Sequence, residues 1–164
     1  MINKIEKAKR QIKRWIIFFM IMLFLSGLTA IALETELDFL SRFFPFGSSI
    51  GDWLEKVYTG LTETNKKYPF LSYGYDWLAF AHFILAILFI GPLRNPVKNK
   101  WVIEFGMIAC LLIIPFAMIA GHYRGIPFGW RLIDCSFGVI GLIPLSICLK
   151  KINQLENNYT STNI

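Results

Sequence analysis

Four apolar runs of similar length, Trp15 to Leu33, Trp77 to Leu93, Trp101 to Ala120 and Trp130 to Leu149, constrain this chain more than anything else in it. Each is close to the length, about 20 residues, that a helix needs to cross a hydrocarbon core. Lipid offers backbone N–H and C=O groups no partners, so a spanning segment must satisfy its own hydrogen bonds as a helix or join a closed barrel. The runs lack the period-two alternation of strands, which removes the barrel. The expectation is an all-α membrane protein: a four-transmembrane-helix bundle forming a single integral membrane domain over 1–164, with spans 15–33, 77–93, 101–120 and 130–149.

Orientation follows from the basic residues in the short flanking segments. The first tail carries Lys4, Lys7, Lys9, Arg10, Lys13 and Arg14, the second loop Arg94, Lys98 and Lys100, and the last tail Lys150 and Lys151. Acids crowd the loop 34–76, with Glu34, Glu36, Asp38, Asp52, Glu55, Glu63 and Asp76. Tails 1–14 and 150–164 are therefore expected in the cytoplasm and loop 34–76 outside, in a multi-pass protein of the cell membrane, plasma or bacterial inner. The first run is too long for a signal-peptide core and carries Ala30-Ile31-Ala32 only at its end, so it reads as a retained anchor.

The net charge is +6. Nearly all of the excess abuts the membrane, where anionic headgroups account for it better than nucleic acid does. Membrane lipids are the expected partners, beside a larger membrane protein or a second copy of the chain. The segment from Lys4 to Arg14, with Ile5, Ile12 and Trp15 between its charges, suits a lipid surface. Cys110, Cys135 and Cys148 all fall within spans and imply packing rather than a disulfide framework. The sequon Asn158-Tyr159-Thr160 lies on a cytoplasmic tail and is discounted.

The outer loop is too long for a bare connector and too aromatic for a disordered linker. From an N-cap at Ser48 or Ser49 to Gly60, residues Ile50, Trp53, Leu54, Val57, Tyr58 and Leu61 recur at helical spacing, with Asp52, Glu55, Lys56 and Thr59 opposite. The pattern predicts an amphipathic interfacial helix of about three turns. A shorter one is expected from Thr35 to Phe44, stopped by Pro45. Both suit the outer membrane surface, as an anchor through Trp53 and Tyr58 or as a lid over an outer-leaflet pocket.

Ionisable side chains inside hydrocarbon are costly, so each is a candidate for function. His82 falls about 9 Å and Asp134 about 6 Å inside their spans at the helical rise. Both spans enter from outside, which puts the two residues in one layer. His122 and Arg124 end span three, and Arg131 precedes Asp134 by three residues, within pairing reach. The bland reading is an Arg131–Asp134 salt bridge and a His82 bonded to a neighbouring helix. The stripe Arg131, Asp134, Gly138, Gly141, Leu145 and the stripe Ala79, His82, Ala86 should face protein, and contact of Ala86 with Gly138 would bring His82 near Asp134. Glu104 is a buried charge early in span three, favoured by the helix dipole or paired with Arg94 or Lys98. Pro115 and Pro144 are expected to kink spans three and four. Gly121 and Gly125 form a GxxxG, but across an outer turn, which speaks against dimerisation.

No CxxC, HExxH, GxSxG or phosphate-binding loop is present, so no motif assigns an enzyme activity, a cofactor or a metal. Three functions remain open. The leading one is a non-catalytic accessory module that binds lipid or a partner. The second is a membrane-embedded enzyme or carrier for an anionic lipid or small anion, with Arg124, Arg131 and His122 as binding residues and His82 or Asp134 as the catalytic base. The third is a haem b redox protein ligated through His82 and His122.

Overall fold

A computed structural model describes residues 2–44 and 47–162, with side chains placed over 5–44 and 47–157. Pro45, the expected stop of the first loop helix, falls outside the described residues, as do the side chains of Lys4 and of Asn158-Tyr159-Thr160. The chain is 89% helix, with no strand among the described residues. Among the described residues seven α-helices follow one another: α1 Ile2–Ile31, α2 Leu33–Ser41, α3 Ser49–Lys67, α4 Tyr73–Leu88, α5 Ile90–Arg94, α6 Lys100–Tyr123 and α7 Phe128–Thr162, with a 3-10 turn at Pro69–Ser72.

Four helical stretches are long and apolar enough to cross a membrane: Ile5–Ile31, Pro69–Arg94, Lys100–Tyr123 and Phe128–Asn157. They carry large apolar side chains on their outer surfaces, among them Phe116 at 73% exposure and Phe137 at 62%. Faces this apolar are not stable in water, and a hydrocarbon solvent removes the difficulty. The chain is thus supported as a multi-pass membrane protein. All four stretches outrun the apolar runs, because the basic and polar flanks continue the helix instead of leaving it.

Its packing divides the chain into two compact units, Met1–Ile21 with Ala86–Ile164, and Met22–Leu85. In the first, α6 and α7 make the most extensive helix pair. Glycines allow it. A Cβ at Gly138 would run into the Cys110 carbonyl oxygen, and one at Gly141 would come 2.8 Å from Cys110 Sγ. The stripe Gly138–Gly141 therefore faces α6, and the expected partner Ala86 is not what fills the space over Gly138. Gly106 likewise lies against Phe89 and Leu145.

The turn between α6 and α7 closes in a Schellman motif: Gly125 adopts φ +67, its N–H donates to the His122 carbonyl at 3.1 Å, and the Ile126 N–H donates to the Gly121 carbonyl at 2.9 Å. Gly121 is buried beneath the Arg131 side chain. Both glycines of the GxxxG thus serve this turn. At the other end of α6, Asn99 Nδ2 donates to the carbonyls of Gly91 and Asn95 and holds the α5–α6 connection.

Both tails are helical extensions. Ile12 and Ile16 are fully buried, Cys148 Sγ contacts the Ile12 carbonyl at 3.7 Å, and Ile152 and Leu155 are buried on the extension of α7. Ile12 thus packs on protein, while Lys7, Arg10, Lys13 and Arg14 of the same segment are exposed. Lys100 joins Glu156 at 3.0 Å, linking the start of α6 to that extension. α6 and α7 run on through Pro115 and Pro144. The three cysteines are buried and free.

In the unit Met22–Leu85, α1 meets α4 where Gly27 lies against Phe83 and the Ala79 carbonyl. Ser48 caps α3, its Oγ accepting from Gly51 N at 3.0 Å, and Lys66 and Lys67 close it. α3 does not stop at Gly60. One interior glycine costs about 1 kcal/mol, and buried Leu61 anchors the next turn. α2 ends before Phe44, tightening through i→i+3 bonds at Arg42 and Phe43.

Gly138→Ala should cost about 1–3 kcal/mol, because its Cβ meets backbone rather than a movable side chain. Gly129→Ala, which meets open space, should leave thermal unfolding in detergent unchanged. Equal melting of the two variants would remove the close α6–α7 approach.

Candidate functional site

The expected outer cluster comes together only in part. Arg131 is half-buried and committed to the end of α6. Its Nη1 donates to the Met118 carbonyl at 3.5 Å, its stem covers Gly121, and its guanidinium lies 5.5 Å from the Phe128 ring centroid. A cation at a helix C-terminus meets the negative end of the dipole. Among the described residues no ion pair joins Arg131 to Asp134, and Asp134 is half-buried with no side-chain hydrogen bond or ion pair. Arg131 Nε is buried without a hydrogen bond. His122 and Arg124 are exposed, the His122 ring 5.9 Å from that of Tyr123. Glu104 lies on the second turn of α6 with its side chain on the outer surface of the helix.

His82 belongs to the unit Met22–Leu85. Its Nδ1 bonds the carbonyl of Leu78 on its own helix at 2.8 Å. A carbonyl only accepts, so Nδ1 carries the proton in this bond. The expected bond to a neighbouring helix is replaced by one turn of α4. Among the described residues no group of three or more His, Cys, Asp or Glu could hold a metal ion.

The best-formed cavities lie elsewhere, where α1 ends, α2 begins and α4 starts. Asn65 on α3 donates through Nδ2 to Glu34 Oε1 on α2, and Ser72 Oγ in the 3-10 turn donates to Asn65 Oδ1. The chain of donors runs hydroxyl to amide to carboxylate, each bond polarising the next. A cleft of about 220 Å³ opens beside it, lined by Ala30, Ile31, Glu34, Asn65, Ser72 and Asp76 among others. A second, of about 310 Å³, runs under α3 against Leu33, Trp53, Lys56, Val57, Leu71 and Tyr75. Leu33, Leu61, Asn65 and Tyr75 line both, so the two adjoin. Lys56 Nζ sits 5.9 Å from the Trp53 ring centroid.

Sequence reasoning missed this site. Glu34 and Asp76 served only as topology markers, and Asn65 lay beyond the assumed end of the loop helix. The available signal was the continued helical spacing from Leu54 through Leu61 to Asn65.

No family model matches the chain, and no curated protein or solved structure is significantly similar to it.

Asn65→Ala leaves the Ser72 hydroxyl and Glu34 Oε1 without their partner, at a cost of about 1–3 kcal/mol. Hydrogen exchange should accelerate in the last two turns of α3 and in Pro69–Ser72 while α6 is unaffected. Unchanged exchange there would show that the relay does not hold α3.

Proposed function

We propose that this chain is a non-catalytic accessory module of the cell membrane that binds lipid through the groove under α3. The spans form a four-helix bundle with both tails in the cytoplasm, and α2 and α3 lie in the outer headgroup layer. The observation that carries this reading is the pair of adjoining clefts under α3, one walled by Leu33, Trp53, Val57 and Leu71 and the other beside the Glu34–Asn65–Ser72 relay. It opens where one candidate span ends at Ile31 and the next begins at Pro69, the depth at which acyl chains meet headgroups. Amphipathic α3 supports an interfacial position, its Leu54 and Leu61 buried and its Asp52, Glu55 and Lys66 exposed. Orientation is supported by the basic stripe Lys7, Arg10 and Arg14 on α1.

The enzyme or carrier reading draws less support, because Arg131 already spends its Nη1 on α6 and His82 its Nδ1 on Leu78. The haem reading asks for a walled cavity at His122, which is exposed.

Two measurements test the proposal. Trp53→Ala should strip most co-purifying lipid, whereas His82→Ala and Asp134→Ala should retain it and change only thermal stability. Either of the latter keeping its melting temperature yet abolishing a cellular phenotype would sink the non-catalytic reading, and a Soret band lost in His82→Ala would establish the haem. In intact cells, an impermeant thiol reagent should label Ser49→Cys but not Asn153→Cys, and the reverse pattern would invert the topology.

A further inference from the structure

The groove under α3 is charged at both ends, with opposite signs. At the α2 end Glu34 and Asp76 line the smaller cleft and no Lys or Arg does. Asn65 engages only Oε1 of Glu34, and among the described residues neither Glu34 Oε2 nor the Asp76 carboxylate has a hydrogen-bond or ion-pair partner. Ser72 Oγ donates into the relay, so its lone pairs remain to accept. The carboxylates of Glu34 and Asp76 can only accept, and Ser72 Oγ accepts beside them. Such a place is complementary to a cation rich in N–H donors.

Further along, Lys56 is the one charged side chain lining the larger cavity, held near Trp53, with Val57, Leu61 and Leu71 as the wall between. A ligand that fits therefore presents an ammonium, then an anionic centre, then hydrocarbon. We infer that the groove takes a zwitterionic phospholipid with a primary amine, its ammonium on Glu34 and Asp76, its phosphate toward Lys56 and an acyl chain along Trp53, Val57 and Leu71. Primary rather than quaternary ammonium follows from the acceptors: Glu34 Oε2, the Asp76 carboxylate and Ser72 Oγ need N–H groups to satisfy them, and a trimethylated head has none. Rim placement keeps the carboxylates hydrated when the groove is empty, with Asp76 exposed and Glu34 half-buried. This inference rests on the groove being a lipid site, and it adds the headgroup that the site selects.

The test titrates the full chain in mild detergent with phosphatidylethanolamine, phosphatidylcholine and phosphatidylglycerol of identical acyl chains, counting bound lipid by native mass spectrometry. Phosphatidylethanolamine should bind about tenfold more tightly than either of the others, as expected for charge-assisted hydrogen bonds on a partly exposed site. Glu34→Gln with Asp76→Asn should erase that preference, and Lys56→Gln should weaken phosphatidylethanolamine and phosphatidylcholine alike. If the double variant melts early, Asp76→Asn alone serves, since among the described residues Asp76 makes no side-chain bond that its loss would break. Equal binding of phosphatidylethanolamine and phosphatidylcholine to the wild type, or a preference that survives both substitutions, overturns the headgroup assignment. In that case binding still sensitive to Trp53→Ala leaves the groove a lipid site, whereas no specific binding of any of the three overturns both readings.

Discussion

Lipid tails are as apolar as the faces of the helices they surround, so burial of hydrocarbon does little to hold one span against another. What remains is close packing and hydrogen bonding. The pairing of α6 with α7 is built from these terms. Gly138 and Gly141 bring α7 against the backbone at Cys110, and small residues at such a point multiply weak dispersion contacts that a Leu would keep apart. At one end the Schellman turn and the Arg131 stem over Gly121 fix the register, and at the other Lys100 reaches Glu156. The buried cysteines belong to the same logic, since Cys135 Sγ and Cys148 Sγ approach the carbonyls of Ile114 and Ile12 as small, weakly donating side chains.

The unit Met22–Leu85 is held together differently. Its helices α2 and α3 are short and carry charged faces, and the residues that join them to the following 3-10 turn are a carboxylate, an amide and a hydroxyl. For helices with exposed, charged faces this is the economical choice. Water is present to satisfy an open α3, so the relay adds only the net value of its bonds, about 1 kcal/mol each, whereas Leu54 and Leu61 supply most of the attachment.

The spans were legible because the bilayer imposes a single rule on length and composition, and that rule survives ignorance of every contact. The loop helix was legible for a related reason: Ser48, Trp53, Leu54 and Leu61 announce a cap and a face. Its C-terminal turns were not, because Gly60 was weighed as a stop signal when the burial of Leu61 outweighs its modest propensity cost. Partnerships were the least legible. Arg131 and Asp134 share a face by spacing, yet the α6 terminus and the Phe128 ring take the guanidinium, and neither competitor is visible from i,i+3 arithmetic. His82 looked like an interhelical donor, but the Leu78 carbonyl on the preceding turn was always the nearer acceptor.

The placement of charge bears on what the groove can do. A cation held near Trp53 and two carboxylates on the far rim set up a field along the groove rather than across it. Fields between exposed charges decay over about 8 Å at physiological ionic strength. They therefore orient a headgroup that has already entered and add little long-range attraction. The apolar wall does the opposite: it retains any acyl chain and distinguishes none. In the proposed lipid complex, affinity and selectivity thus rest on different residues, Trp53, Val57 and Leu71 for the first and Glu34, Asp76 and Lys56 for the second. A groove divided in this way can hold a lipid without chemistry at His82 or Asp134, which is why the accessory reading follows more directly from these side chains than a catalytic one.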